Sequence, residues 1–198
     1  MLLFSHALLI LAIVLMVPVG VFTLQVLLAV LGSTRAPGAA SATSRRPQLA
    51  VLVPAHDEAS GIGAALQTMR AQLAPGDRLL VVADNCSDAT AQIAAAAGAE
   101  VVERFNRELR GKGYALDFGV RHLQLAPPEV VVIVDADCEL GPGALNTLAR
   151  ECARTSRPVQ ALYLMHAPTG AGLKTRIAAF AWAVKNQARP LGYRRLGL

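Results

Sequence analysis

The first pattern in the chain is an uninterrupted apolar one. From Ser5 to Gly32 it reads SHALLILAIVLMVPVGVFTLQVLLAVLG, and residues 1–34 hold no Asp, Glu, Lys or Arg. A membrane-crossing helix needs about 20 mainly apolar residues, so residues 5–32 predict a transmembrane helix. Pro18 and Gly20 are tolerated in such a span. The rival reading is a cleaved signal peptide with Ala40–Ala42 (ASA) at its cleavage site. Against it, no basic residue precedes the run, which exceeds the roughly 7–15 residues of a signal core. Residues 33–48, STRAPGAASATSRRPQ, are small, polar and basic, and predict a flexible linker.

Past the linker, short apolar runs alternate with segments of helical period. LAVLVP (Leu49–Pro54), RLLVVAD (Arg78–Asp84), EVVER, EVVVIVD and VQALYLM (Val159–Met165) predict strands. GIGAALQTMRAQL, SDATAQIAAAAG, GYALDFGVRHLQL and PGALNTLARECAR predict helices. Ser87 and Asp88 serve as cap and first-turn acid, Gly98 as a stop, and Pro142 stands near a first turn. Strands alternating with helices predict an α/β domain over residues 49–198, with a Rossmann-like, mostly parallel sheet. Val130–Val134 do not alternate, as expected of a central parallel strand covered on both faces. Leu173, Ile177, Phe180 and Val184 recur at helical spacing, with Lys174, Arg176 and Lys185 adding charge. That pattern suits an amphipathic helix on an anionic membrane surface, and equally a helix packed on its own domain or left uncovered.

Charge sharpens this layout. The net charge is +5, yet all fourteen acids lie between Asp57 and Glu151, while Cys152–Leu198 carries eight Lys or Arg and no acid. Arg35, Arg45 and Arg46 follow the apolar run and nothing basic precedes it. The positive-inside rule then predicts a single-pass protein of a bacterial-type inner (plasma) membrane, with the rest of the chain in the cytoplasm. Three cysteines without a C-x-x-C pair fit reduced thiols there. Few aromatics and no basic-aromatic pattern argue against nucleic acid as a partner.

Four segments at strand ends or in loops concentrate the polar chemistry: PAHDE (Pro54–Glu58), ADNCSDAT (Ala83–Thr90), RGKGYAL (Arg110–Leu116) and DADC (Asp135–Cys138). In parallel sheets ligands bind beyond the carboxyl ends of the strands, which is where these acids fall. Asp135 and Asp137, two apart in an extended loop, can point to one side. Paired carboxylates there suit a hard divalent cation, which completes its shell with water and phosphate oxygens; a polar turn would use Asp equally well. Arg110 and Lys112 can neutralise phosphate, and Gly111 and Gly113 admit close backbone approach. A triphosphate P-loop fails on the letters: Asn106 replaces its first Gly, and Gly113 follows Lys112 where Ser or Thr is required. A dinucleotide fingerprint fails at Leu66. His56 has no second His at ligand spacing.

Taken in order, the four segments resemble the donor-binding half of the family 2 glycosyltransferases, which have a GT-A (nucleotide-diphospho-sugar transferase-like) fold. VLVPAHDE looks like that family's first strand and Pro-Ala-His-Asn-Glu segment, with Asp57 in place of the commoner Asn. VVADNCSDAT looks like its Asp-Asn-x-Ser-Asp-x-Thr turn, GKGYAL like its Gly-Lys-Gly-x-Ala-Leu segment, and VVIVDADC like its strand and Asp-x-Asp motif. The resemblance covers roughly Leu49 to Leu164. It implies that Asp84 accepts a hydrogen bond from a nucleobase, usually uracil, and that Pro54, Ala55 and Glu58 line the same nucleoside pocket. Lys112 would stand near the donor, Asp135 would hold ribose or help the metal, and Asp137 would coordinate Mn2+ or Mg2+ on the diphosphate. The implied partners are a nucleotide-diphosphate sugar, a polysaccharide or lipid-linked acceptor, and the lipid bilayer. In that family an acceptor half follows Asp-x-Asp and supplies a base, with a Gln-x-x-Arg-Trp segment in processive members. Here no acid follows Glu151 and that segment is missing, so no catalytic base is nominated. The expectation is the donor half of a longer glycosyltransferase, or a catalytically incomplete nucleotide-binding or interaction protein derived from it.

Overall fold

A computed structural model describes residues 2–31 and 45–196. Gly32, the linker residues 33–44 and the ASA at Ala40–Ala42 lie outside the described residues. The chain forms two compact units, one of residues 2–31 with 162–196 and the other of residues 45–161.

In the second unit, β1 (Leu49–Ala55), α2 (Ile62–Arg70), β2 (Arg78–Asp84), α3 (Thr90–Ala96), β3 (Glu100–Arg104), α4 (Lys112–Leu123), β4 (Val130–Ile133) and α5 (Ala144–Thr155) follow one another. The sheet is parallel throughout, in the order β3-β2-β1-β4. The apolar runs explain the order. Every other residue of β1, from Leu49 through Val51 and Val53 to Ala55, packs with Ile62, Leu66 and Met69 of α2, Ala94 of α3 and Leu145 and Ala149 of α5. Ala50 and Leu52, on the opposite face, pack with Leu80 and Val82 under Ala115 and Leu123 of α4. Both faces of β1 are buried, so no polar residue interrupts it.

Helix α4 lies close to the sheet because position 119 is Gly. A Cβ there would come within 2.4 Å of Leu52 Cδ1 and 2.8 Å of Val82 Cγ2. Gly119→Val is therefore expected to destabilise by about 1–3 kcal/mol through overpacking. A lower urea midpoint checks this, and an unchanged midpoint would contradict the close approach.

Two sequence expectations fail at the β4 side. The run Val130–Val134 is not covered on both faces. Val132 and Val134 are buried against the α5 side, while Val131 and Ile133 are exposed. The reason is position: β4 is an edge strand, and α4 covers the central strands β1 and β2 without reaching it. Nor do Val159–Met165 form a strand, for all their apolar content. A strand needs a ladder partner, and among the described residues none pairs with the free edge of β4; Tyr163 sets its ring edge-on to Trp182, with centroids 5.5 Å apart.

The end of the expected linker is anchored. The Arg46 guanidinium donates to both oxygens of Asp77, at 2.9 and 2.7 Å. Asp77 also accepts from the N–H of Leu49 (3.1 Å) and of Ala74 (2.8 Å). Burial pushes the Asp77 carboxyl up, but these hydrogen bonds and the Arg46 charge outweigh it and hold it below the usual carboxylate value. A carboxyl held low in the folded state stabilises above its unfolded value of about 3.9. That stabilisation is lost as pH falls through the lower folded value. Below about pH 4, stability should therefore fall more steeply in the native chain than in Asp77→Asn, as read from urea midpoints across the acid range. Equal slopes would contradict the assignment.

The first unit contains α1 (Leu2–Leu31), α6 (Leu173–Ala183), a π-helical turn (Val184–Ala188) and α7 (Arg189–Arg195). At 1.5 Å per residue, the 30 residues of α1 reach about 45 Å against a hydrocarbon core of about 30 Å. α1 is thus a candidate membrane span, apolar from Phe4 to Leu31. Residues 162–196, grouped by the sequence reading with the preceding strands, fall in this unit.

Candidate functional site

β1, β2 and β4 run parallel and end on one side of the sheet. Strand order reverses between β1 and β4, since β2 and β3 lie to one side of β1 and β4 to the other. Such a reversal opens a crevice beyond the carboxyl ends of the strands. A cleft of about 710 Å³ occupies that place, lined by Pro54, Ala55, Glu58, Asp84, Lys112, Asp135 and Asp137 among others. The size suits a small-molecule ligand. The seven residues nominated from the sequence for the nucleotide sugar and the metal thus line one cleft, whereas Asp57 and Gly113 do not.

The loops after β1 and β2 brace each other. Asp57 and Asn85 both have positive φ, 52° and 54°, a conformation that Asn and Asp tolerate better than other side chains. The Asp57 carboxylate accepts from the Ser87 N–H at 2.6 Å. Asp88 accepts from the N–H of Ala59 (3.1 Å) and of Thr90 (2.9 Å). The Thr90 hydroxyl lowers the Asp88 pKa most. The expected cap is not formed: α3 starts at Thr90 with Ala89 at the N-cap position and no side-chain cap hydrogen bond, so Ser87 and Asp88 both precede the helix, and Asp88 closes the turn that leads into it. His56 Nδ1 lies 2.7 Å from the Asp84 carbonyl oxygen. Burial pushes the Cys86 thiol up, so it remains protonated near neutrality.

Asp84 is the buried carboxylate of the cleft. Its Oδ1 accepts from Arg104 at 2.6 Å and from Asn85 Nδ2 at 3.0 Å, and neither contact uses Oδ2. The side chains of Asp84 and Arg104 are only 8% and 10% exposed. Arg104 also donates to the Leu109 carbonyl (2.7 Å) and lies 5.7 Å from the ring centre of Tyr114. It therefore joins β2, the loop after β3 and the first turn of α4. Asn106 shapes the same loop by accepting from the N–H of Glu108 and of Leu109.

Sequence reasoning missed Arg104, Phe105 and Arg107. The latter two line the cleft, and Arg104 braces Asp84. A usable signal was the register: Asp84 pairs with Arg104 across the β2–β3 ladder, so the two strand ends sit side by side.

Opposite this wall, Gly111 takes φ 110° just before Lys112, a conformation that favours glycine. Lys112 Nζ pairs with Asp135 Oδ1. The Cys138 N–H donates to the Asp135 carbonyl (3.1 Å), closing a turn. That turn brings ligand atoms of Asp135, Asp137 and Cys138 within 4.8 Å of one another. A second cluster, Asp57, Cys86 and Asp88, is equally tight, but its carboxylates already accept the loop hydrogen bonds described above. The cleft therefore offers a buried acceptor at one end, cations of Arg107, Arg110 and Lys112 along one wall, and two carboxylates at cation-binding spacing.

The family model of glycosyl transferase family 2 matches residues 50–164. No curated protein matches the chain. Among solved structures, a mannosyltransferase from Pyrobaculum calidifontis, in complex with GDP-Man and Mn2+, is 24% identical. That match covers 72% of this chain and 44% of the other, with a TM-score of 0.53. Glucosyl-3-phosphoglycerate synthase from Mycobacterium tuberculosis, in complex with UDP, is 29% identical over 46% of this chain and 34% of its own, with a TM-score of 0.39. The chain thus spans from 34% to 44% of the length of these two proteins. The likeness to the mannosyltransferase shows the fold, α/β of the GT-A type with a parallel sheet.

Proposed function

The chain belongs to glycosyl transferase family 2, and from that premise we propose that its cleft binds a nucleotide-diphosphate sugar together with a divalent metal ion, for transfer of the sugar to a polysaccharide or lipid-linked acceptor. The observation that carries this reading is the convergence of Asp84, Lys112, Asp135 and Asp137 on one cleft at the reversal of strand order. Asp84 Oδ2 accepts an N–H of the base, with uracil, and hence a UDP-sugar, the proposed donor. Pro54, Ala55 and Glu58 form the nucleoside wall. Lys112 fixes Asp135 and lends positive charge beside the diphosphate. Asp135 and Asp137 hold Mn2+ or Mg2+, and their oxygens fit a hard cation that keeps phosphate among its ligands. When bound, the metal neutralises charge that develops on the diphosphate leaving group.

α1 is proposed to anchor the chain in the inner membrane with the cleft in the cytoplasm. Arg45 and Arg46 on the far side of the apolar run support that orientation. The mannosyltransferase above is described in complex with GDP-Man and Mn2+, which supports the ligand class.

The reading is tested by saturation-transfer NMR of UDP-glucose with the full chain in Mg2+. Saturation of the base and ribose protons, lost on addition of EDTA, is expected; no transfer to the nucleoside from a folded chain would refute it. A second reading, a nucleotide-binding or interaction protein using the donor cleft alone, takes the same ligand without transfer. The two part on turnover, since only the first releases UDP when an acceptor is added.

A further inference from the structure

α6, the π-helical turn and α7 form one run of helical backbone from Leu173 to Arg195. Pro190 explains the π turn: its ring collides with the carbonyl four residues back, that of Asn186, and a wider turn there relieves the clash. At 100° per residue, Leu173, Ile177 and Phe180 fall on one face of α6. They are 70%, 57% and 71% exposed. Thr175, Ala179 and Trp182 form the other face and are half-buried, with Trp182 packed on Tyr163. The apolar side of α6 therefore points away from its own unit. Lys174 flanks it on one side and Arg176 on the other.

The other end of this helical run is fixed to the candidate span. A Cβ at Gly192 would meet the Gln25 backbone oxygen at 2.4 Å and its Cα at 2.7 Å, so α7 and α1 touch backbone to backbone, as helices do through small residues in membranes. Arg189 Nε donates to Gln25 Oε1 at 3.3 Å. Gln25 stands six residues before the last residue of α1, about 9 Å along the axis. With α1 across a bilayer, this contact places α7 near the level of the headgroups, and α6 is joined to α7 through the π-helical turn in one run of helical backbone.

We propose that the Leu173–Ile177–Phe180 face of α6 is a membrane-docking surface that lies in the headgroup boundary of an anionic leaflet, with Lys174 and Arg176 reaching lipid phosphates. The alternative cover, a second copy of the same face, would bring like charges together, because no acid occurs from Cys152 to Leu198. The inference rests on α1 as a span and is independent of the donor cleft.

The test places a reporter on the face. Trp182 is the only tryptophan, so Ile177→Trp in a Trp182→Phe background reports from position 177 alone. The full chain is placed in nanodiscs of phosphatidylcholine and phosphatidylglycerol. Emission should be blue-shifted and quenched at least twofold by brominated acyl chains. Lys174→Gln with Arg176→Gln, or discs without phosphatidylglycerol, should reduce the quenching at least by half. Emission typical of water, or a blue shift without quenching, would overturn the proposal, the second outcome meaning that protein covers the face. Undiminished quenching without phosphatidylglycerol would overturn the anionic requirement. The unaltered chain gives a second readout: a bilayer-dissolved diazirine should label Leu173, Ile177 or Phe180, and an unlabelled α6 would likewise overturn the proposal.

Discussion

Asp137→Ala is expected to lower UDP affinity in Mn2+ by about 100-fold, or ~2.8 kcal/mol, down to the affinity measured in EDTA. The argument is one of ligand count. Mg2+-type cations are held by one or two protein carboxylates, and the remaining shell is water and phosphate. Asp135 already shares an oxygen with Lys112, so Asp137 supplies the carboxylate less engaged by protein cations. Deleting it leaves the diphosphate facing Arg107, Arg110 and Lys112 alone. Equilibrium dialysis of labelled UDP, with and without metal, measures the effect. Because Asp137 is exposed, the substitution should leave the urea midpoint unchanged. Retained metal-dependent binding in the variant would exclude Asp137 as a ligand.

Asp84→Asn is expected to act on stability and binding together. The pair with Arg104 is almost fully buried, and removing one charge of a buried pair typically costs about 3–5 kcal/mol because the other is left uncompensated. Here the Leu109 carbonyl and the Tyr114 ring still receive the guanidinium, so the lower end, about 3 kcal/mol, is expected. Nucleotide binding should fall as well, since the amide cannot offer the same charged acceptor to the base. Urea unfolding and dialysis on the same sample separate the two effects. Full stability in the variant would contradict the bracing role of the pair, and full affinity would remove Asp84 from the nucleotide site.

Much of this was legible in the letters because parallel sheets write plainly. β1 and β2 are buried on both faces and so appear as unbroken apolar runs, and the residues closing them stand where ligands bind. Pro54, Asp84, Lys112, Asp135 and Asp137 could be named from that rule together with the order of the motifs. What was not legible depends on lateral placement. An apolar run does not say whether it lies at the centre or the edge of a sheet, so Val131 and Ile133 read as buried. Val159–Met165 read as a strand because propensity is local while a ladder needs a partner. Arg104 was hidden because its role arises from register with Asp84, twenty residues away in sequence. Arg46 looked like part of a flexible basic linker, since nothing near it in sequence reveals that Asp77 receives it. The grouping of residues 162–196 with α1 comes from packing of α1 on α7 and on the π-helical turn, close at Gly192 and tied by Arg189 to Gln25, and a lone glycine in a helical pattern announces no partner.

The central claim is that the cleft at the carboxyl ends of β1, β2 and β4 is a metal-dependent nucleotide-diphosphate site. Titration calorimetry of UDP into the full chain, in Mn2+ and then in EDTA, tests it most directly. Saturable binding at one site per chain in Mn2+, lost in EDTA, is the predicted result. Absence of heat and of saturation in Mn2+, from a chain shown to be folded by its cooperative urea transition, would contradict it.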